Sequence, residues 1–198
     1  MHSPQAPPTN RAPLGRAASL LCAACLCLSL AAAAAAQKRE HLTPEEIELV
    51  RDNQELDART KVFITAAERR LLAVTNPAES AKNAPKEKEK WGEVQGTRAQ
   101  LFYDISKILD EAVVNVDDVA EHNPESPLLR KSLYMLAEAT ARMLPELTKL
   151  REASQSEAET DQLERALETA REITDAAKER GVTAEDLKAK AKAAKKTN

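Results

Sequence analysis

An all-α fold, built as an up-and-down bundle of four long helices with coiled-coil-like packing and a short basic C-terminal helix, is predicted by three features of this sequence. Glycine is nearly absent: after Ala36 only Gly92, Gly96 and Gly181 remain. Aromatic residues make up 3% of the chain, while Ala, Leu, Glu and Lys abound, a profile of long helices rather than sheets. Apolar residues recur at alternating three- and four-residue spacing over long stretches, which gives each stretch one face that needs a partner. The most regular stripe is Trp91, Val94, Leu101, Ile105, Ile108, Ala112, Val116 and Val119, with Arg98 as the one charge in phase. An Arg there either pairs across helices or snorkels from the edge of the seam; the second is expected.

Residues 1–36 read as an export segment. Arg11 and Arg16 form a basic start, Ala17 to Ala36 carries no charge, and polyalanine precedes Gln37. These are the parts of a secretory signal peptide, with cleavage expected after Ala36. A retained N-terminal membrane anchor is the alternative, since about 20 apolar residues can span a bilayer. Lipid attachment at Cys25 is a weaker option, because Cys22 stands where such sites usually carry Leu. The expected location is therefore the periplasm or the extracellular space. Cys22, Cys25 and Cys27 all fall within this segment, so a processed chain has neither disulfides nor thiolate ligands. About 162 residues would remain, enough for one domain burying about 70% of its unfolded surface. Removing two arginines makes the remainder more acidic than the formal −3 of the whole chain. An acidic surface of mixed sign suits solubility and speaks against nucleic acid as a partner.

The bundle domain is expected over 37–181. Its first helix starts at Thr43 as N-cap, with Pro44 at N1, Glu46 closing a capping box and Leu42–Ile47 as staple. It is expected to run to Thr75, where Asn76-Pro77 stops it. Its stripe is Leu49, Leu56, Phe63, Ala67 and Val74, with Asn53 and Thr60 in phase; these two either fix register against a partner or sit at the wet edge of the seam, and the second is expected. Asn76 to Lys90, punctuated by Pro77 and Pro85, reads as a long loop. The second helix is expected from Glu87 to Glu121.

After the His122–Pro127 turn, Ser126 caps a third helix with Pro127 at N1. Its stripe is Leu129, Leu133, Leu136, Thr140, Met143, Leu147 and Leu150, and Pro145 is expected to kink it near Ala141. Ser154-Gln155-Ser156 should break the chain, because one helix from Pro127 to Arg180 would extend about 80 Å against about 50 Å for its neighbours. The fourth helix, capped by Ser156, shows Leu163, Ala166, Leu167, Ala170, Ile173 and Ala177 on one face and ends at Gly181. Residues 182–198 read as a basic helix or tail, capped by Thr183. Lys188, Lys190, Lys192, Lys195 and Lys196 could touch an anionic surface; a solvated terminus is the competing and simpler reading.

Chemical signatures are few. No Glu-x-x-His pair serves a di-iron bundle, and no nucleophile, phosphate-loop or zinc-protease motif occurs. Asp118 and His122, four apart, could face one metal ion; a polar helix end is the simpler and expected reading. No cofactor is expected, and no enzymatic activity. The expected role is that of an exported interaction, adaptor or scaffold module in the cell envelope, with a protein partner or self-association through helix faces. The alternative is a small-ligand binder with a pocket near Trp91 or the Pro145 kink.

Overall fold

A computed structural model describes residues 39–182. The export segment and the Lys-rich tail lie outside the described residues, as do the Lys188, Lys190, Lys192, Lys195 and Lys196 side chains. The described chain is all-helical. Its elements in order are α1 (Pro44–Asp52), α2 (Leu56–Thr75), α3 (Pro77–Trp91), α4 (Arg98–His122), α5 (Pro127–Ala153) and α6 (Glu157–Glu179). None of these helices is long and apolar enough to cross a membrane.

The first expected helix is two helices. α1 begins as its sequence dictates, with the Thr43–Glu46 capping box formed and Pro44 at N1. It ends at Asn53, whose side-chain amide donates to the Leu49 carbonyl at 2.7 Å and competes with the helical bond there. Arg59 Nε then donates to the Asn53 carbonyl at 3.1 Å, so the break is held from the next helix. Thr60, expected at a wet edge, is 1% exposed.

The expected loop over 76–90 is also helical. Asn76 closes α2 by donating its amide to Leu72 and opens α3 by accepting the Glu79 amide on its side chain. Pro77 is therefore an N1 proline as well as a stop signal. Pro85 lies within α3. None of the α3 residues is buried.

The true break falls at Gly92–Thr97, after Trp91, so the second long helix begins at Arg98 rather than Glu87. Gly92 adopts φ 69°, ψ −176°, a region closed to side-chain-bearing residues. Thr97 and Gln100 form the capping box that starts α4. Leu101, Ile105, Ile108, Ala112 and Val116 of the main stripe are buried on α4, whereas Trp91 and Val94 lie outside that helix.

α5 starts at Ser126 and Pro127 and runs unbroken through Pro145 to Ala153. The chain breaks at Ser154–Ser156 as the length argument requires. All six α6 stripe residues are buried. At its end Gly181 has φ 58°. Its amide bonds to Lys178 at 3.0 Å and the Val182 amide to Ala177 at 2.8 Å, the paired bonds of a Schellman ending.

Side-chain pairs fix the helix directions. Arg59–Asn115 and Arg70–Asp104 run α4 antiparallel to α2. Asp57–Lys131 and Glu68–Arg142 run α5 parallel to α2. Thr140–Thr174 and Arg151–Glu164 run α6 antiparallel to α5. α2 packs mainly on α4 and α5, and α6 on α4 and α5, while α4 and α5 touch lightly across the centre. One apolar cluster joins them, with Phe63, Phe102, Ile108, Leu136, Leu147 and Leu163 fully buried. α1 and α3 lie against α2.

Candidate functional site

The densest buried chemistry sits where α1, α2, α3 and α4 meet. Glu46 is fully buried, Arg70 is 3% exposed and Asp104 is 2% exposed. Buried charges survive only when paired and hydrogen-bonded, and these are. Glu46 Oε1 accepts from Arg69 Nη1 at 2.6 Å and from Arg70 Nη1 at 2.8 Å. Its Oε2 accepts from Arg70 Nη2 at 2.7 Å and from the Thr43 amide at 3.0 Å. Arg70 also reaches the His41 and Ala66 carbonyls, and its Nε lies 3.9 Å from Asp104 Oδ2.

Arg69 binds the α3 exit. It donates to Glu87 at 3.0 Å, to the Trp91 carbonyl at 3.0 Å and to the Gly92 carbonyl at 2.7 Å. Its guanidinium lies 5.8 Å from the centre of the Trp91 ring, within cation–π range. Thr43 Oγ1 donates to the same Trp91 carbonyl at 2.7 Å. A Cβ on Gly92 would fall 2.7 Å from Thr43 Oγ1 and 2.2 Å from Glu45 Oε2. With both Glu46 oxygens and every Arg69 nitrogen already engaged, this cluster is a clamp that holds α1 and α3 on the body.

Sequence reasoning missed most of it. Glu46 was legible as a cap, but its arginine contacts were not. A signal existed: Arg70 lies three after Ala67 and four before Val74, and Asp104 three after Leu101 and four before Ile108, so both sit in phase with buried stripes. Arg98, expected to be the one charge in phase, is at the first position of α4. It is half-exposed, pairs with Glu159 at 3.3 Å and lies over the Phe102 ring.

Asp118 and His122 do face each other, with His122 Nδ1 3.3 Å from Asp118 Oδ1. The same nitrogen is 2.8 Å from the Asp118 carbonyl oxygen. Both side chains are about 70% exposed. Among the described residues no group of three or more His, Cys, Asp or Glu converges to hold a metal ion.

Three cavities matter for binding. One of about 230 Å³ lies between α2 and α3 beside the clamp and includes Arg69, Pro77, Ser80, Glu87 and Gly92. It is close to Trp91 in sequence, yet Trp91 does not line it. The expected Pro145 pocket has no counterpart in these three, since Pro145 lines none of them. The largest, about 830 Å³, lies at the end of the body beside the turn from α4 to α5. Its lining comes from the end of α4, the turn to α5, the start of α5 and the end of α6. Val116, Ala120, Leu129, Leu133 and Val182 make its apolar walls, and Glu125, Arg130 and Arg180 its charged ones. A trough of about 350 Å³ continues between α4 and α6 and shares Val116, Leu133 and Arg180 with it. Its floor includes Leu136 and Ile173, its rim Asp110, Asp117 and Glu172. Val114, 64% exposed, stands on that rim.

No family model, no curated protein and no solved structure matches this chain.

Proposed function

We propose that this chain is an exported, non-catalytic interaction or adaptor module of the cell envelope. The body behind it is a four-helix bundle of α2, α4, α5 and α6 with coiled-coil-like seams, and α1 and α3 are clamped to its side. Its directions alternate along the chain, but its α4–α5 connection crosses the core rather than joining neighbours as in a simple up-and-down bundle. The alternating helix directions and the shared core support the bundle reading; the pattern of residues 1–36 supports export. The observation that carries the interaction reading is Val114. Among the described residues it is the large hydrophobic side chain left exposed, and it borders an apolar trough with an acidic rim. Such a trough fits one face of a basic amphipathic helix from a partner: apolar anchors at helical spacing on its floor, Lys or Arg opposite Asp117 and Glu172.

The test uses an amphipathic peptide with Leu at i, i+4 and i+7 and Lys elsewhere, titrated into isotope-labelled protein. Amide shifts confined to Val113, Val114, Glu172 and Ile173, and abolished by Val114→Glu, are expected. Shifts spread evenly over the acidic surface and unchanged in the variant would refute the proposal.

A second reading, small-ligand binding, is favoured by the end cavity. Its volume of about 830 Å³ lies within the range of ligand pockets.

A further inference from the structure

Two guanidinium groups border the end cavity, and among the described residues neither is paired with a carboxylate. Arg130 is held in place by backbone: its Nη2 donates to the Gly181 carbonyl at 2.8 Å and its Nη1 points to the Arg180 carbonyl at 3.5 Å. Its Nε is shielded from solvent and donates to no group. Arg180, an exposed residue just before the Gly181 turn, borders both the cavity and the trough. The Schellman ending of α6 presents the carbonyls that hold Arg130 and sets the backbone from which Arg180 projects.

Charge on the lining limits the ligand. Within the end cavity Arg130 and Arg180 face one carboxylate, Glu125, which leaves one positive charge there, while Asp110, Asp117 and Glu172 line the adjoining trough that Arg180 also borders. One carboxylate from a ligand would neutralise it; a dianion would overshoot and meet Glu125. The guanidinium fork matches a carboxylate in two parallel hydrogen bonds. The walls from Val116, Leu129, Leu133 and Val182 offer nothing to a polar body, and bury an aliphatic one favourably. The cavity is concave and at the end of the body, a shape suited to a single free molecule rather than to a flat lipid surface.

We infer that the end cavity binds a free amphipathic monocarboxylate, its carboxylate at Arg130 and Arg180 and its aliphatic body on the Val116–Leu133–Val182 wall. This rests on the small-ligand reading above.

The probe is decanoate, below its aggregation concentration, added to the full chain and followed by calorimetric titration and thermal unfolding. Decanol and decyltrimethylammonium serve as matched neutral and cationic probes. Saturable decanoate binding is expected, with a rise in Tm that grows with concentration. Arg180→Gln, at an exposed position, should weaken it about tenfold while leaving the Tm without ligand unchanged. Arg130→Gln should weaken it similarly but also lower that Tm, since it frees the Gly181 carbonyl. Equal binding of all three probes would overturn the charge assignment while keeping a ligand cavity. Binding of none would overturn the inference together with the small-ligand reading. Decanoate binding that persists in both variants, or full competition by phosphatidylglycerol vesicles, would equally overturn it.

Discussion

Replacing Glu46 by Ala should unfold this protein more readily than almost any other single change. Glu46 is fully buried and accepts four hydrogen bonds, from Arg69, twice from Arg70 and from the Thr43 amide. Removing one member of a buried ion pair costs about 3–5 kcal/mol, because the other charge is left without compensation. Two features set the expected value near the lower end. Asp104 remains 3.9 Å from Arg70, and Glu87 remains 3.0 Å from Arg69. The Thr43 hydroxyl still caps the amide of residue 46, but the Thr43 amide loses its Glu46 acceptor, which adds about 1 kcal/mol. The expected loss is therefore about 4 kcal/mol, a large share of a domain stability of about 5–15 kcal/mol. Urea unfolding followed by circular dichroism at fixed pH reads it as a drop in midpoint at unchanged slope. The double variant Glu46→Met, Arg70→Met should recover only part of the loss: it removes the stranded Arg70 charge, but buried Asp104 then loses its Arg70 contact and Arg69 its Glu46 contact. A loss below about 1 kcal/mol for Glu46→Ala would place the value of the clamp at that of a surface pair and refute the reasoning.

The two helix-ending glycines should respond differently. Gly181→Ala meets nothing within 4 Å and should cost about 1 kcal/mol for its positive φ alone. Gly92→Ala also drives a methyl into Thr43 and Glu45 and should cost about twice that or more, readable as the difference between their melting temperatures. Thr60→Val should stabilise by about 1 kcal/mol, because the buried Thr60 hydroxyl has no hydrogen-bond partner. Thr140→Val, whose hydroxyl donates to the Leu136 carbonyl at 2.9 Å, should destabilise in the same assay. Asp57 titrates below the ordinary carboxylate value, chiefly through its hydrogen bond from Lys131, with partial desolvation working the other way. Its folded pKa is depressed, so its contribution is present above the unfolded value, about 3.9, and is lost as pH falls through the folded pKa. Lys131→Ala should therefore lower stability by at most about 1 kcal/mol at pH 7 and flatten its fall below about pH 4; an unchanged acid limb would contradict that assignment.

The long helices were legible because their stripes carry strong, repeated signals. α5 and α6 were placed by Ser126-Pro127, Ser156 and Gly181, each a capping residue with a physical reason to stand where it does. α2 and α3 were misjudged because Asn76-Pro77 reads as a stop, when the Asn76 amide ends one helix while its side chain starts another. The Asn53 break was hidden for the opposite reason: its polarity fitted a seam position, and the competing bond to the Leu49 carbonyl leaves no mark in hydropathy. Arg70 and Asp104 could have been found by asking which charges share phase with buried stripes. Arg70's partner Glu46 could not, because its approach depends on how α1 folds back after Asn53. The end cavity was beyond the sequence altogether. Its walls come from three helix ends, and which helices meet is not encoded in a stripe: an apolar face states that it needs a partner, not which partner it takes.

Whether the four stripes satisfy one another within a single chain decides the account as a whole. Light scattering after size-exclusion chromatography, on the chain from Gln37 over a hundredfold range of concentration, measures this directly. A constant monomer mass is expected, since most stripe residues of α2, α4, α5 and α6 are buried against each other and, among the described residues, Val114 is the large hydrophobic side chain left exposed. A mass that rises with concentration, and that Val114→Glu leaves unchanged, would mean that the seams pair between chains and would contradict the self-contained bundle.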